Sequence, residues 1–208
     1  MKMPEDVHEI AFSPDGKLMA INFWSTVGII EVETGKMQCK LTRPIYGEHD
    51  WVNFISLAFS PDGQWLAAGE VDFNVTLWRM PDGKQLRVLH MHGDCISAIA
   101  FSPDSRLLAA GSSYEETIVL WDGEKGRQVK QMRGHCNAIY ALAFLPNGQL
   151  VSGSGDGTVR VWDVQAGQWL KAMLILPPCK DGTFSHDWIV FSPKGRWFGS
   201  KRAKVFVD

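Results

Sequence analysis

Residues 134 to 163 read G-H-C-N-A-I-Y-A-L-A-F-L-P-N-G-Q-L-V-S-G-S-G-D-G-T-V-R-V-W-D. An apolar run, Ile139 to Phe144, meets a turn at Leu145-Pro146-Asn147-Gly148. A second, Gln149 to Ser152, meets a glycine turn at Gly155-Asp156-Gly157, and a third, Thr158 to Trp162, ends in Trp-Asp. Apolar runs this short, closed by residues that pre-set or tolerate turn dihedrals, are strands joined by hairpin turns.

Working outward, the same signals recur. Phe12-Ser-Pro-Asp-Gly16 returns as Phe59-Ser-Pro-Asp-Gly63, Phe101-Ser-Pro-Asp-Ser105, Phe144-Leu-Pro-Asn-Gly148 and Phe191-Ser-Pro-Lys-Gly195. By position the phenylalanines stand 47, 42, 43 and 47 residues apart, close to the roughly 40 to 45 residues of a four-stranded propeller blade. Ser-Pro-Asp-Gly suits a type I turn, with Pro fixing φ at the second place. Trp78, Trp121 and Trp162 follow their phenylalanines by 19, 20 and 18 residues, with Ile30 and Val207 in the outer repeats. Gly35, Gly83, Gly126 and Gly167 then turn into a fourth, more polar strand. Runs such as Ile96 to Phe101 are apolar on both faces, which marks strands covered on both sides. No segment has a 3.6-residue period, so very little helix is expected.

The order Gly-His, Pro-Asn-Gly, Ser-Gly-Ser-Gly-Asp, Trp-Asp resembles one complete unit of the WD-repeat β-propeller family. The resemblance covers essentially the whole chain. It implies an all-β propeller of about five repeats, four full four-stranded blades and a truncated fifth; at 208 residues this makes either an open or partial ring or a closed five-bladed one. One domain over 1–208 is expected, with repeats near 5–46, 47–90, 91–133, 134–180 and 181–208. It also implies a hydrogen-bonded set of His135, Ser152, Asp156 and Trp162 in the fourth repeat. The second repeat has Asp72 and Trp78, with His49 near the histidine place, but Ala68 for the serine. The third has His92 and Trp121 but Ala110, and an extra residue in the turn Ser113 to Glu116. Polar networks should therefore hold the middle of the chain better than its ends.

The chain has 208 residues, 45% hydrophobic and 21% charged, too apolar for disorder. A net charge of −2 gives no general pull toward nucleic acid or anionic lipid. No apolar run follows Met1-Lys2-Met3-Pro4, so neither signal peptide nor membrane span is expected, and the default location is the cytoplasm. Cys39, Cys95, Cys136 and Cys179 form no C-x-x-C pair and read as free buried thiols, although Cys95 and Cys136 hold similar places in successive repeats. Gly153, Gly155 and Gly157 lead into a strand, not the helix a phosphate loop needs. His90 and His92 could share a strand face as metal ligands, but read more simply as a strand end and a repeat-type histidine. No nucleophile elbow or carboxylate pair stands out, so no catalytic residue, metal or cofactor is expected.

In the WD-repeat family partners dock on the face around the channel. Carried onto this sequence, the contact places are His8, Ile55, Ser97, Tyr140 and Asp187, with Phe23, Val71 and Ser113 at the turns and Trp51 and Asn53 beside Ile55. Their mixed, partly aromatic chemistry suits a protein or peptide. The first functional reading is a non-catalytic interaction scaffold; a second makes these blades part of a larger regulatory or enzyme assembly, with self-association or a partner subunit at the open ends. A third is a binder of anionic lipid or nucleic acid through Lys194, Arg196, Lys201, Arg202 and Lys204, with Trp197 and Phe198 among them; a solvated edge is the simpler account of that run, and nucleic acid is not the expected partner.

Overall fold

The Ser-Pro-Asp-Gly turns set the first hairpin of each repeat. In the computed structural model, which describes residues 7–23, 25–43, 53–91, 95–175, 188–194 and 197–199, the Ser13 hydroxyl donates to Asp15 Oδ1 at 2.7 Å and accepts from the Leu18 amide at 2.9 Å. Ser60 and Ser102 make the same two bonds in the second and third copies. Gly16 and Gly63 close their turns at φ of 70° and 71°, in the left-handed region where a Cβ is strained. The fourth copy has no serine, and Asn147 Oδ1 takes the Gln149 amide instead at 3.1 Å.

Four antiparallel sheets follow in chain order. The first holds β1 (Ile10–Phe12), β2 (Leu18–Phe23), β3 (Thr26–Glu31) and β4 (Met37–Leu41), and the second β5 (Phe54–Phe59), β6 (Trp65–Glu70), β7 (Asn74–Arg79) and β8 (Lys84–His90). The third holds β9 (Ile96–Phe101), β10 (Leu107–Ser112), β11 (Thr117–Asp122) and β12 (Arg127–Arg133). The fourth begins with β13 (Ile139–Phe144), β14 (Leu150–Ser154), β15 (Thr158–Asp163) and β16 (Gln168–Ile175). No helix occurs among the described residues, and none there is long and apolar enough to cross a membrane.

The fifth repeat takes a different place from the separate short blade read in the sequence. Its strands β17 (Trp188–Phe191) and β18 (Trp197–Gly199) continue the fourth sheet, with Ala172 opposite Phe191 and Ile175 opposite Trp188. A two-stranded hairpin is marginal by itself, and the edge of β16 offers a row of unpaired backbone groups for it to join.

The core lies between the sheets. Ala20, Val27, Ile29 and Leu41 pack on Phe54, Leu57, Leu66 and Trp78 of the second sheet. Ala67, Val75, Leu77 and Leu89 meet Ile96, Ile99, Phe101, Leu108 and Trp121 of the third. Ala109, Ile118, Leu120 and Met132 meet Ile139, Leu150 and Trp162 of the fourth. Side chains also link each sheet to the next: Asn22 Nδ2 donates to the Phe54 carbonyl, Ser56 Oγ to that of Ile96 at 3.1 Å, and Ser97 Oγ to that of Ile139. Successive innermost strands β1, β5, β9 and β13 therefore lie side by side.

Candidate functional site

Three of the innermost strands carry a bulge at the same place. Phe54 faces Glu70 and Ser56 faces Gly69, leaving Ile55 unpaired in register; Ser97 and Tyr140 are left over in β9 and β13 in the same way. A bulge turns its extra side chain out of the pleat. The innermost strands surround a cavity of about 240 Å³, lined by Glu9, Ser56, Leu57, Ser97, Ala98, Ile99, Tyr140, Ala141 and Leu142. Burial pushes the Glu9 carboxyl above its usual range.

The sequence-derived contact residues divide at this cavity. Ser97 and Tyr140 line it; Ile55 and His8 stand one residue from lining members, Ser56 and Glu9. Ser97 is committed to structure, its hydroxyl donating to the carbonyls of Ile139 and Gly111. Tyr140 is 66% exposed. Asn53 is half-buried and its carbonyl accepts the Val71 amide at 2.9 Å, with Val71 itself exposed. Phe23, expected at an exposed turn, is instead buried with Ile21 and Ile30, and its ring lies against Gly28, where a Cβ would come within 2.8 Å of it. Only a glycine leaves room for that ring. Trp51 and Asp187 fall outside the described residues, as do His49, His92 and Cys179 and, of the C-terminal basic run, Arg196, Lys201, Arg202 and Lys204.

Below this face the fourth blade is tied by polar side chains. His135 Nε2 and Ser152 Oγ are 2.6 Å apart, His135 Nδ1 and Asp156 Oδ2 are 2.8 Å apart, and Trp162 Nε1 donates to Ser152 Oγ at 2.7 Å. His135, Ser152 and Trp162 are buried. Burial holds the His135 imidazole below its usual value, against the pull of Asp156. For Asp156, burial alone would act upward, but hydrogen bonds from Thr158, His135 and the Cys136 amide hold the carboxyl far below the carboxylate range.

The second blade solves the same problem with ions, which the sequence reading missed. Arg43 stands two residues past Leu41, as Gly134 stands two past Met132. Its Nε is 3.0 Å from Glu70 Oε2 and its NH2 is 2.6 Å from Asp72 Oδ2. Thr76 Oγ1 donates to Glu70 Oε1. Burial pushes the Glu70 carboxyl up to about 8, with the neighbouring Asp72 adding to the rise. At neutral pH the Glu70 carboxyl is therefore held mainly in its protonated form beside the Arg43 guanidinium. The signal available in the sequence was Asp72 itself, a turn aspartate with Ala68 where its serine link should be.

The described cysteines are free thiols but not buried ones: Cys39 and Cys95 are half-buried and Cys136 is exposed. Burial nonetheless raises the Cys39 thiol. His90 Nδ1 is 2.6 Å from Asn74 Oδ1, and no cluster of metal-ligating side chains occurs among the described residues.

The family model described as WD domain, G-beta repeat matches residues 38–79, 83–122 and 126–163, more than half of the chain. The chain belongs to the WD40-repeat family. It is 34% identical over 107 residues to a WD repeat-containing protein, sll1491, of Synechocystis sp., an alignment covering 51% of this chain and 29% of that protein. It is 28% identical over 191 residues to telomerase Cajal body protein 1 of Rattus norvegicus, covering 86% of this chain and 36% of the relative. The chain thus spans well under half of these relatives' lengths. Among solved structures it superposes on U3-55K with a TM-score of 0.75 at 23% identity, over 84% of this chain and 53% of that one, a likeness of fold.

Proposed function

We propose that this chain is a non-catalytic scaffold that binds a protein or peptide over the mouth of the channel, with Tyr140 as the principal anchor. The observation that carries the reading is the bulge in β13, which sets a large aromatic side chain out at the rim of a cavity lined by the second, third and fourth sheets and Glu9. Exposed aromatics at a concave rim supply contact area at low entropic cost and are frequent hot spots. Membership of a family that serves generally as non-catalytic scaffolds supports the same reading.

Capture of interacting proteins by immobilised wild-type and Tyr140→Ala chains tests it. Loss of the captured protein with an unchanged melting temperature is expected; loss of folding would make Tyr140 a packing residue. Lys130 is a poor control, because its ammonium bonds the Gln165 carbonyl across to the next blade. Arg127, exposed on the outer strand of the third sheet, is a better one. A second reading, that these blades complete a larger assembly, is favoured by the apolar surface exposed on the first and fourth sheets, where Ile10, Phe12 and Val159 meet solvent.

A further inference from the structure

The junctions of the second sheet with the third and of the third with the fourth join the same two surfaces; in the first sheet Asn22 holds the glycine's place and its side-chain amide donates to the Phe54 carbonyl. One is a shallow face of small and branched residues with a glycine notch; the other is a set of knobs from the next sheet. At Gly69 a Cβ would come within 2.6 Å of Ile96, and at Gly111 within 2.7 Å of Ile139, so each glycine receives the first residue of the next innermost strand. Those first residues, Phe54, Ile96 and Ile139, have no solvent exposure. Three residues further on, Leu57 and Ile99, and five further on, Phe101, are buried in the same junctions.

The fourth sheet carries the notched face with no described strand against it. Gly153 occupies the place of Gly69 and Gly111, but its Cβ would meet only Ala141 of its own sheet, at 3.6 Å. Ala141, Ala143 and Val159 are exposed, whereas their third-sheet counterparts Ala98, Ala100 and Ile118 are buried. The first sheet carries the knobs with no notch to fill. Val7 stands five residues before Phe12, as Ile96 stands five before Phe101, and Val7, Ile10 and Phe12 are 48%, 51% and 54% exposed. The described strands of the fifth repeat are engaged on the outer edge of β16 and do not cover the notched face.

We propose that the occupant of each open face is a second copy of this chain, joined head to tail: Val7, Ile10 and Phe12 of one copy seat on Gly153, Ala141 and Val159 of the other, and the reverse contact closes the ring. The proposal rests on the reading that these blades complete a larger assembly and names its partner. The chain holds both halves of an interface that it already makes twice within itself, at Gly69 and at Gly111. Residues of β5, β9 and β13, with Glu9 just before β1, line one cavity, so the sheets curve about a common axis. Two such arcs on one axis give eight sheets, within the roughly four to eight blades that propellers use. A head-to-tail contact closes only when its rotation allows; a rotation that fails to close on two copies would give growth past two.

Light scattering on size-separated full-length chain tests the proposal with two variants, Phe12→Glu on the knob face and Val159→Glu on the notched face. Both side chains are solvent-exposed in the single copy, so each variant should keep its fold by circular dichroism, its melting temperature falling only by what association contributes. Wild type should run at twice the chain mass at micromolar concentration. Each variant alone should be a monomer, its association weakened about a hundredfold or more by a charge buried without a partner. An equimolar mixture of the two should recover pairs, because one unmodified knob face then meets one unmodified notched face. A wild-type monomer, growth past two copies, or a pair that one variant breaks and the other leaves intact would overturn it. A monomer that still captures a protein through Tyr140 would remove the second copy and leave the channel-face scaffold standing.

Discussion

The second and fourth blades fasten the same turn by different chemistry. In the fourth, a neutral imidazole bridges a buried serine and a turn aspartate, and an indole closes the set at 2.7 Å. In the second, a guanidinium from the end of β4 reaches both the turn aspartate and a buried glutamate. What the two share is geometry: a group arriving from the preceding loop spans the end of the second strand and the following turn. The polar signature is thus one solution of a bracing problem, and an ionic set solves it when serine and histidine are missing. The ionic solution carries the larger risk, since losing one partner strands a charge in the interior.

That risk gives the largest expected effect. Arg43→Met should destabilise the fold by about 3 kcal/mol, because half-buried Asp72 loses its cation and buried Glu70 loses a hydrogen-bond donor. Urea denaturation measures it, and a shift below that of any fourth-blade variant would refute the contrast. His135→Ala should cost less, about 1–3 kcal/mol, the penalty of an unsatisfied buried hydroxyl and carboxylate. A neutral urea midpoint for that variant would show that the fourth-blade set does not brace the turn.

The two braces should also respond to pH in opposite directions. Glu70 is raised from 4.5 to about 8, so its stabilisation is full below pH 4.5 and is lost as pH rises through about 8. His135 is held below its ordinary 6.5, so its contribution is full above pH 6.5 and is lost as pH falls below it. Each group can change stability by at most about 1.4 kcal/mol per pH unit. Urea midpoints measured across pH should flatten on the alkaline side in Glu70→Gln and on the acid side in His135→Asn. If both variants flatten the same side, the protonation states assigned to the two blades are wrong.

The smallest effect separates the two turns themselves. Phe73 follows Asp72 at φ 72°, where Gly157 follows Asp156 at φ 81°. A bulky side chain in the left-handed region is strained, and Phe73→Gly should yield a net gain of about 0.5–1 kcal/mol once the entropy of glycine is set against the relief. A loss of stability on thermal melting would mean that the half-exposed Phe73 ring packs more strongly than its backbone is strained.

Much of this was legible in the residues. The five Phe-Ser-Pro-Asp-Gly signals and the tryptophans 18 to 20 residues behind them fix strand lengths and turns, since those residues act locally through φ and through hydrogen bonds spanning two to five residues. The group formed by His135, Ser152, Asp156 and Trp162 was also readable, because one intact repeat keeps its spacing. Arg43 was not: its partners lie 27 and 29 positions away, and nothing local distinguishes it from a solvated arginine. Phe23 looked like an exposed turn residue because its place in the repeat says so, while Gly28 across the hairpin makes room for its ring.

The sequence by itself therefore determined the class of fold, the strand order within each blade and the place of each turn, all matters of short-range sterics and periodicity. The tertiary structure alone decided that the strands of the fifth repeat lie along the edge of β16, that Ser97 links two blades while Tyr140 stands out at the rim, and that the first and last sheets show apolar faces their counterparts bury. Those outcomes depend on which surfaces meet through space, and a residue such as Ala98 or Ala141 carries the same chemistry whether a neighbouring sheet covers it or water does.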